Sequence, residues 1–447
     1  VIARIACLLF LFQGANTLDP SQLSALFYEP DGPPHQATAS ILHDGGILLF
    51  LSNGRWLESS DAAIVRIKPD GSVAWAQRLS SKESGKEFLV TRLAEDASGR
   101  LILAGCRWTS EETGVDAMIR VLSPDGAPIW ERDFAFQGAN YHKGATLDPR
   151  LSRRDYFNAL TVTKSGDIVA TAWADFGNLG EGRGLGASVI RLTRNGALRS
   201  RRDWNPKSSY FGATAWAVYP SPDDGTLVLL NAPTRSTGRL TLTVQKLNAD
   251  GIGQPLAVRE SMDGFKPDDV VPDGRGGYFA LSHRIADRNA RAGGDAEAPG
   301  GYATWMHLDS HLNTTASRQV RVSEYIAWTF GRSGQTRWKL DTEPPSALAP
   351  GGRVYAATEV SVPVLHRSGE APPPPGRQWR LFSFDARTLS TLDSSADLVK
   401  SILGYAMKLV AQADGSVVLI ATPGEAGQPI KLIIFRNGLT NPKIIAL

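Results

Sequence analysis

The chain has 447 residues, 42% of them hydrophobic, with a formal net charge of +3. That charge is too small for the field that nonspecific nucleic-acid binding needs, and no apolar run reaches the roughly 20 residues of a membrane-spanning helix. A length above that of an ordinary single core is reconciled with one domain only if repeated units pack against one another.

Val1 to Thr17 carry one cation, Arg4, an apolar run from Ile5 to Phe12, and then the small or polar Gly14, Ala15 and Asn16. This is the order of a secretory signal peptide, with cleavage expected near Ala15 to Thr17. The chain is therefore divided into a signal at residues 1–17 and a single domain at 18–447, secreted or periplasmic and without a transmembrane segment once mature. Removal of Cys7 leaves Cys106 alone, so no internal disulfide is expected. Its setting after the apolar run Leu101 to Gly105 marks a buried, inert thiol.

Beyond the signal, tight turns recur in pairs. The first of each pair reads His43-Asp44-Gly45, Asp96-Ala97-Ser98-Gly99, Lys164-Ser165-Gly166, Asp223-Asp224-Gly225, Asp273-Gly274, Ala349-Pro350-Gly351 and Ala413-Asp414-Gly415. The second reads Pro69-Asp70-Gly71, Pro124-Asp125-Gly126, Arg194-Asn195-Gly196, Ala249-Asp250-Gly251, the degenerate Asp309-Ser310-His311 and Asp385-Ala386-Arg387, and Arg436-Asn437-Gly438. Short apolar strands flank each turn, as in Leu101 to Gly105 and Ala117 to Leu122, with no helical period between them. This predicts an all-β fold, a seven-bladed β-propeller of four-stranded antiparallel blades, with six or eight blades as alternatives.

Val90 to Leu93, Leu160 to Val162 and Ala215 to Tyr219 are expected to form innermost strands, and the basic run Arg199, Arg201, Arg202 an outer edge strand shielded by charge. The turn pairs fall on one face. The long segments Tyr141 to Tyr156, Asp175 to Ala187, His283 to Tyr302, Ser323 to Asp341 and Glu359 to Arg377 fall on the other, around the expected mouth of a central channel. Loops lengthen at little entropic cost, so the loop-rich face is the expected binding surface.

Ser123-Pro124-Asp125-Gly126-Ala127-Pro128-Ile129-Trp130, matched by Lys68-Pro69-Asp70-Gly71-Ser72-Val73-Ala74-Trp75, resembles the repeat of secreted bacterial β-propellers, including PQQ-like repeat proteins. The resemblance implies that the Trp after the turn Gly docks on the neighbouring blade, with Trp204 a looser echo. Quinoprotein dehydrogenases sharing the pattern carry adjacent cysteines and a calcium site. A mature chain with one Cys is not expected to perform quinone-dependent oxidation, and no cofactor or metal is expected. His307 and His311, four residues apart, flank a turn rather than sharing a helix face, so they do not make a helical zinc pair. Asn313-Thr314-Thr315 is a glycosylation sequon in a host that glycosylates.

On the loop-rich face, Arg55, Trp56, Arg107, Trp108 and Trp173 occupy equivalent places just past the second strands of three consecutive units. Trp stacks on a sugar ring and Arg holds a carboxylate, a combination suited to an acidic glycan; packing of these Trp residues between blades is the competing reading. Tyr156, His283, Arg284, Trp328 and Trp338 complete the candidate ligand-binding set. Tyr141, His142 and Arg154 are catalytic candidates, a Tyr or His removing a proton beside a sugar carboxylate while Arg holds the anion. Asp175 and Glu359 are a conceivable acid and base for glycosidic cleavage. The expected function is a binding module for a glycan or an extracellular protein. A polysaccharide lyase or glycoside hydrolase at the same face is the alternative.

Overall fold

The computed structural model describes Leu18 and residues 36–52, 62–80, 88–110, 114–136, 155–178, 183–204, 214–221, 223–233, 240–260, 269–273, 275–285, 301–322, 326–330, 336–340, 346–349, 353–361, 377–385, 387–388, 391–394, 404–411, 416–423, 429–436 and 438–447. They fall in two compact units, Val1–Gly264 and Phe265–Leu447.

The first unit opens with a sheet of β1 (Gln36–Ile41), β2 (Ile47–Ser52), β3 (Ala62–Ile67) and β4 (Val73–Ser80). Next come β5 (Phe88–Glu95), β6 (Leu101–Ser110), β7 (Gly114–Leu122) and β8 (Pro128–Phe134). The third sheet holds β9 (Tyr156–Val162), β10 (Ile168–Asn178), β11 (Arg183–Leu192) and β12 (Leu198–Trp204). The fourth holds β13 (Thr214–Pro220), β14 (Thr226–Pro233), β15 (Leu240–Leu247) and β16 (Gly253–Glu260).

The second unit begins with β17 (Asp269–Pro272), β18 (Tyr278–Ile285), β19 (Gly301–Leu308) and β20 (Thr314–Val322), followed by a separate hairpin of β21 (Ile326–Phe330) and β22 (Thr336–Leu340). Two more sheets contain β23 (Ser346–Ala349), β24 (Arg353–Ser361), β25 (Arg377–Asp385) and β26 (Thr391–Ser394), then β27 (Gly404–Ala411), β28 (Val417–Pro423), β29 (Lys431–Phe435) and β30 (Lys443–Ala446). The chain is thus all-β, with the four-stranded antiparallel blades of a β-propeller. Against the expected seven units, with six and eight as alternatives, the first unit holds four such sheets and the second three together with the hairpin. The last sheet takes all four strands from the C-terminal end, as its sequence suggests.

Within a blade, burial follows strand position. The second strand of the first sheet, Ile47–Ser52, is buried along its whole length, whereas the outer strands β8 and β12 are mostly exposed or half-buried. Central strands covered on both faces read as continuous apolar runs, which is why Ile47-Leu48-Leu49-Phe50-Leu51 shows no alternation. Alternate side chains serve opposite interfaces. Leu101 and Leu103 pack with Phe50 and Ile64 of the preceding blade and with Phe88 at the start of their own, while Ile102 and Ala104 pack with Phe157, Ile168 and Ala170 of the next. Cys106 is buried in this region.

The turns set the blade ends. Leu42 N–H donates to Gly46 O and Gly45 N–H to Leu42 O, with Gly45 at φ 80°, and the same pair of bonds recurs at Ser123, Thr163, Thr193 and Asn248. This is a three-residue hairpin loop closing on a left-handed residue, the conformation that favours Gly. Three turns depart from the predicted register: in the one read as Asp273-Gly274 the left-handed residue is Gly276 (φ 95°). In Ser221–Asp224 the left-handed residue is Asp224 (φ 61°) rather than Gly225, and in Asp309–Leu312 it is Leu312 (φ 66°) rather than His311. Leu312 is fully buried, which offsets the roughly 1–2 kcal/mol such a backbone costs.

Neighbouring blades are joined at these turns. Trp75 on β4 donates its indole N–H to Pro124 O at 3.1 Å, and Gln77 donates to Gly126 O at 3.1 Å. A Cβ on Gly126 would lie 2.5 Å from Gln77 Nε2 and 3.1 Å from the Trp75 ring. The contact repeats one blade on, where a Cβ on Gly196 would lie 3.1 Å from Trp130 and Arg132 donates to Gly196 O at 2.8 Å. In the third blade Ser200, not Trp204, takes this place, 3.1 Å from a Cβ on Gly251, and Arg202 donates to Gly253 O at 3.1 Å. Trp204 instead packs into the apolar cluster between the third and fourth sheets, beneath the Arg202 guanidinium. The basic run on β12 is therefore engaged rather than merely solvated: Arg199 also bonds Asp167, and Arg201 bonds Asp203.

Ion pairs reinforce the same end. Buried Arg191 bonds Asp167 within its blade at 2.7 Å and Asp224 of the next at 2.7 Å. Burial raises the pKa of the Asp224 carboxyl, but hydrogen bonds from Ser165 and Arg191 outweigh it and bring the pKa down to about 2. A carboxylate depressed on folding contributes stability above its unfolded value, lost as pH falls through the folded value. Acid titration followed by circular dichroism is expected to show a loss of stability between about pH 4 and 2, and Asp224→Asn should flatten it. The turn docking has its own test. Gly276 (φ 95°) has nothing within 4 Å of a Cβ, so Gly276→Ala should cost only the backbone term of about 1–2 kcal/mol, whereas Gly196→Ala should cost about 1 kcal/mol more in denaturant unfolding because the Trp130 ring must also shift.

Candidate functional site

The candidate residues that fall in described strands of the four-stranded sheets lie toward the ends opposite the tight turns. Arg55, Trp56, Tyr141, His142 and Arg154 lie outside the described residues. Trp108, His283, Arg284, Trp328 and Trp338 are placed by strand position alone. Trp108 pairs in register with Val115, His283 with Ala303, Arg284 with Tyr302, and Trp328 with Trp338 across the separate hairpin.

The strands reach further toward this end than the polar sequences suggest. Thr109 to Gly114 reads as a loop, yet pairing continues to Ser110 opposite Gly114. Asp175 to Ala187 reads as a long insertion, yet β10 and β11 pair out to Asn178 opposite Arg183. Likewise Ser323 to Asp341 contains the β21–β22 hairpin. Backbone pairing satisfies N–H and C=O groups whatever the side chains, so polar residues extend a strand wherever both of its faces reach water. Arg107 and Trp173 consequently sit within second strands rather than just past them.

Within the four-stranded sheets, the structure brings the candidates Tyr156 and Trp173 together. They pair in register across β9 and β10, and their rings stack with centroids 6.0 Å apart at 18°. Both are partly exposed. The preceding Asp155 fixes this corner: its N–H donates to Val115 O at 2.9 Å, and its buried carboxylate accepts from Phe136 N–H at 2.8 Å. Behind it, Phe134, Phe136 and Phe157 form an aromatic cluster, capped by the guanidiniums of Arg132 and Arg201.

Arg107 is committed elsewhere. Its guanidinium bonds Glu131 and Asp133 on β8, and Glu131 also bonds Arg120, whose guanidinium lies 4.7 Å from the Phe88 ring centroid. Burial alone would lower the Arg107 pKa; the hydrogen bond to Asp133 and the charges of Glu131 and Asp133 outweigh it and raise the pKa. By strand alternation Arg107 shares the face of Leu101 and Leu103, toward the first sheet, whereas Trp173 shares the face of Val169, toward the fourth. The expected partnership of an Arg with an adjacent Trp is therefore not made by these two residues. Sequence reading missed the carboxylates that absorb Arg107, because they come from a strand two positions away in the sheet.

The innermost strands are stitched along their length. The Thr91 hydroxyl donates to Phe157 O in the next blade, and the Asn158 amide donates to Ala215 O in the one after at 2.5 Å. Thr91 and Asn158 are each the extra residue of a β-bulge, left out of pairing with the second strand. A bulge frees its side chain to turn toward a neighbour. Among the described residues, no three His, Cys, Asp or Glu side chains gather as a metal site, and no helix is long and apolar enough to cross a membrane.

No family model and no curated protein matches this chain. Solved structures similar to it include the β-propeller domain of the trilobed protease from Pyrococcus furiosus, at 10% identity over 92% of this chain and 97% of that one, with a TM-score of 0.44. A variant of the Synechocystis apocarotenoid oxygenase matches at 13% identity over 96% of this chain and 95% of that one, with a TM-score of 0.45. A europium-containing methanol dehydrogenase matches at 9% identity over 87% and 80%, with a TM-score of 0.40. Likeness at this level carries no argument about activity, and the blade architecture rests on the strand pairing itself.

Proposed function

We propose that the protein is a secreted or periplasmic binding module that recognises a glycan at the ends of its blades opposite the tight turns. The observation that carries this reading is the partly exposed Tyr156–Trp173 stack, held beside a corner fixed by Asp155. A flat aromatic pair offers an apolar face to the C–H side of a sugar ring, and a rigid strand pair presents it at low entropic cost. The Arg107 guanidinium is already shared by two carboxylates, so stacking rather than an arginine–carboxylate contact carries the recognition. Export rests on the composition of residues 1–17.

The test uses protein recovered from the exported fraction, whose first residue is expected close to Leu18. It is run in affinity gels containing neutral and acidic polysaccharides, and polymer length is measured after incubation. Retention with unchanged length is expected, weakened about tenfold by Trp173→Ala. Shortening of the polymer would replace this reading with an enzymatic one. Absence of retention on every polysaccharide, or retention indifferent to Trp173→Ala, would overturn it.

A further inference from the structure

The Tyr156–Trp173 pair is the inner part of a longer row. Strand pairing carries one rung across the third sheet, from Tyr156 on β9 to Trp173 on β10, Ala187 on β11 and Trp204 on β12. Residues directly opposite one another in adjacent strands stand on the same side of a sheet. Here that side is turned to the fourth sheet, because Ala187 and Trp204 pack in one cluster with Val228 and Leu230 of β14. Buried Ala187 puts only a methyl group between the aromatic residues on either side of it. Trp173 and Trp204 are two strand spacings apart, about 10 Å along the rung. Like Tyr156 and Trp173, Trp204 is partly exposed.

The two ends of this rung are built differently. Near β9 the third and fourth sheets are tied together, since the Asn158 amide and the Thr171 hydroxyl both donate to Ala215 O, at 2.5 and 3.3 Å. Farther out, Leu230, Thr243 and Val258 form one rung of the fourth sheet on the face turned to the third. Leu230 is 1% exposed and Thr243 9%, whereas Val258 is 57% exposed. A lone exposed valine needs no explanation, but one whose inner neighbours on the same rung are buried marks where the cleft between two sheets opens. The outer strands β12 and β16 run side by side from the turn end, Ser200 against Gly251 and Arg202 bonded to Gly253 O, so Trp204 and Val258 both lie toward the opposite end. Arg202 also braces the Trp204 indole, its guanidinium 5.1 Å from the ring.

We infer that the glycan site extends outward along this rung, with Trp204 as a second stacking position, so that it takes a chain of several linked sugars laid across the blade rather than a single sugar. The inference rests on the glycan reading of Tyr156 and Trp173 given above. Each indole offers a flat apolar face to the C–H side of a sugar ring. Two such faces separated by more than the width of one ring are engaged together only by linked sugars, and the second contact is then made within an existing complex. Val258 adds apolar surface on the fourth-sheet side of the opening.

The polysaccharide retained in the affinity gels is cut into a series from monosaccharide to hexasaccharide, and each member is titrated into the whole protein by calorimetry. Affinity is expected to rise about tenfold with length and then level off. Trp204→Leu, which keeps apolar bulk in the cluster, should abolish that rise while leaving the shortest members bound as before; Trp173→Ala should weaken every length. Hydroxyl-radical footprinting of the unmodified protein needs no substitution: the long members should protect both Trp173 and Trp204, and the short ones Trp173 alone. Protection of Trp173 with Trp204 equally reactive at every length, or a length dependence unchanged in Trp204→Leu, would overturn the extended site and leave the glycan reading standing. Absence of retention in the gels, or Trp173 unprotected at every length, would overturn both.

Discussion

Contact between the outer strand of one blade and the second turn of the next is the constraint on which the rest of the first unit depends. Trp75 and Trp130 lie against Gly126 and Gly196, residues whose left-handed backbone admits no side chain without cost and whose missing Cβ makes room for the indole. One glycine thus serves two purposes, closing its own hairpin and accepting the neighbouring blade. The apolar clusters between sheets supply most of the burial, but they are non-directional. The indole–glycine contact and the bonds from Gln77 and Arg132 fix how far one blade slides along the next.

At the innermost strands, bulged Thr91 and Asn158 tie successive blades together through backbone oxygens. Docking at the turns and stitching near the axis leave the opposite ends of the strands free of this structural duty. There β10 and β11 run on beyond the apolar core, and the Tyr156–Trp173 pair is carried outward on paired strands. The proposed recognition surface thus lies at the other end of the blade from the docking turns, where Arg191, Asp167 and Asp224 cluster.

Much of this architecture is legible in the sequence because a left-handed turn residue leaves Gly as its mark, and because Trp recurs four residues after Gly71 and Gly126. Where another side chain occupies that conformation, as at Asp224 and Leu312, the register is misread by one residue: burial of Leu312 sets the backbone there, and burial leaves no local sign. Strand ends were underestimated at Ser110 and Asn178 because pairing is a property of the backbone and polarity of the side chain. Candidate site residues were harder to read. Arg107 looks like a ligand-holding cation beside Trp108, but its fate is decided by Glu131 and Asp133, more than 20 residues on. Conversely, the pairing of Tyr156 with Trp173 follows from strand register, which the aromatic residues themselves do not announce.

A double-mutant cycle in denaturant unfolding between Trp130→Ala and Gly196→Ala tests the central claim most directly. If the indole sits against the space a Cβ would take, Gly196→Ala in the Trp130→Ala background costs only its backbone term, and the two changes are coupled by about 1 kcal/mol. Strict additivity would mean that the tryptophan does not hold the neighbouring turn, and the docking account would fail.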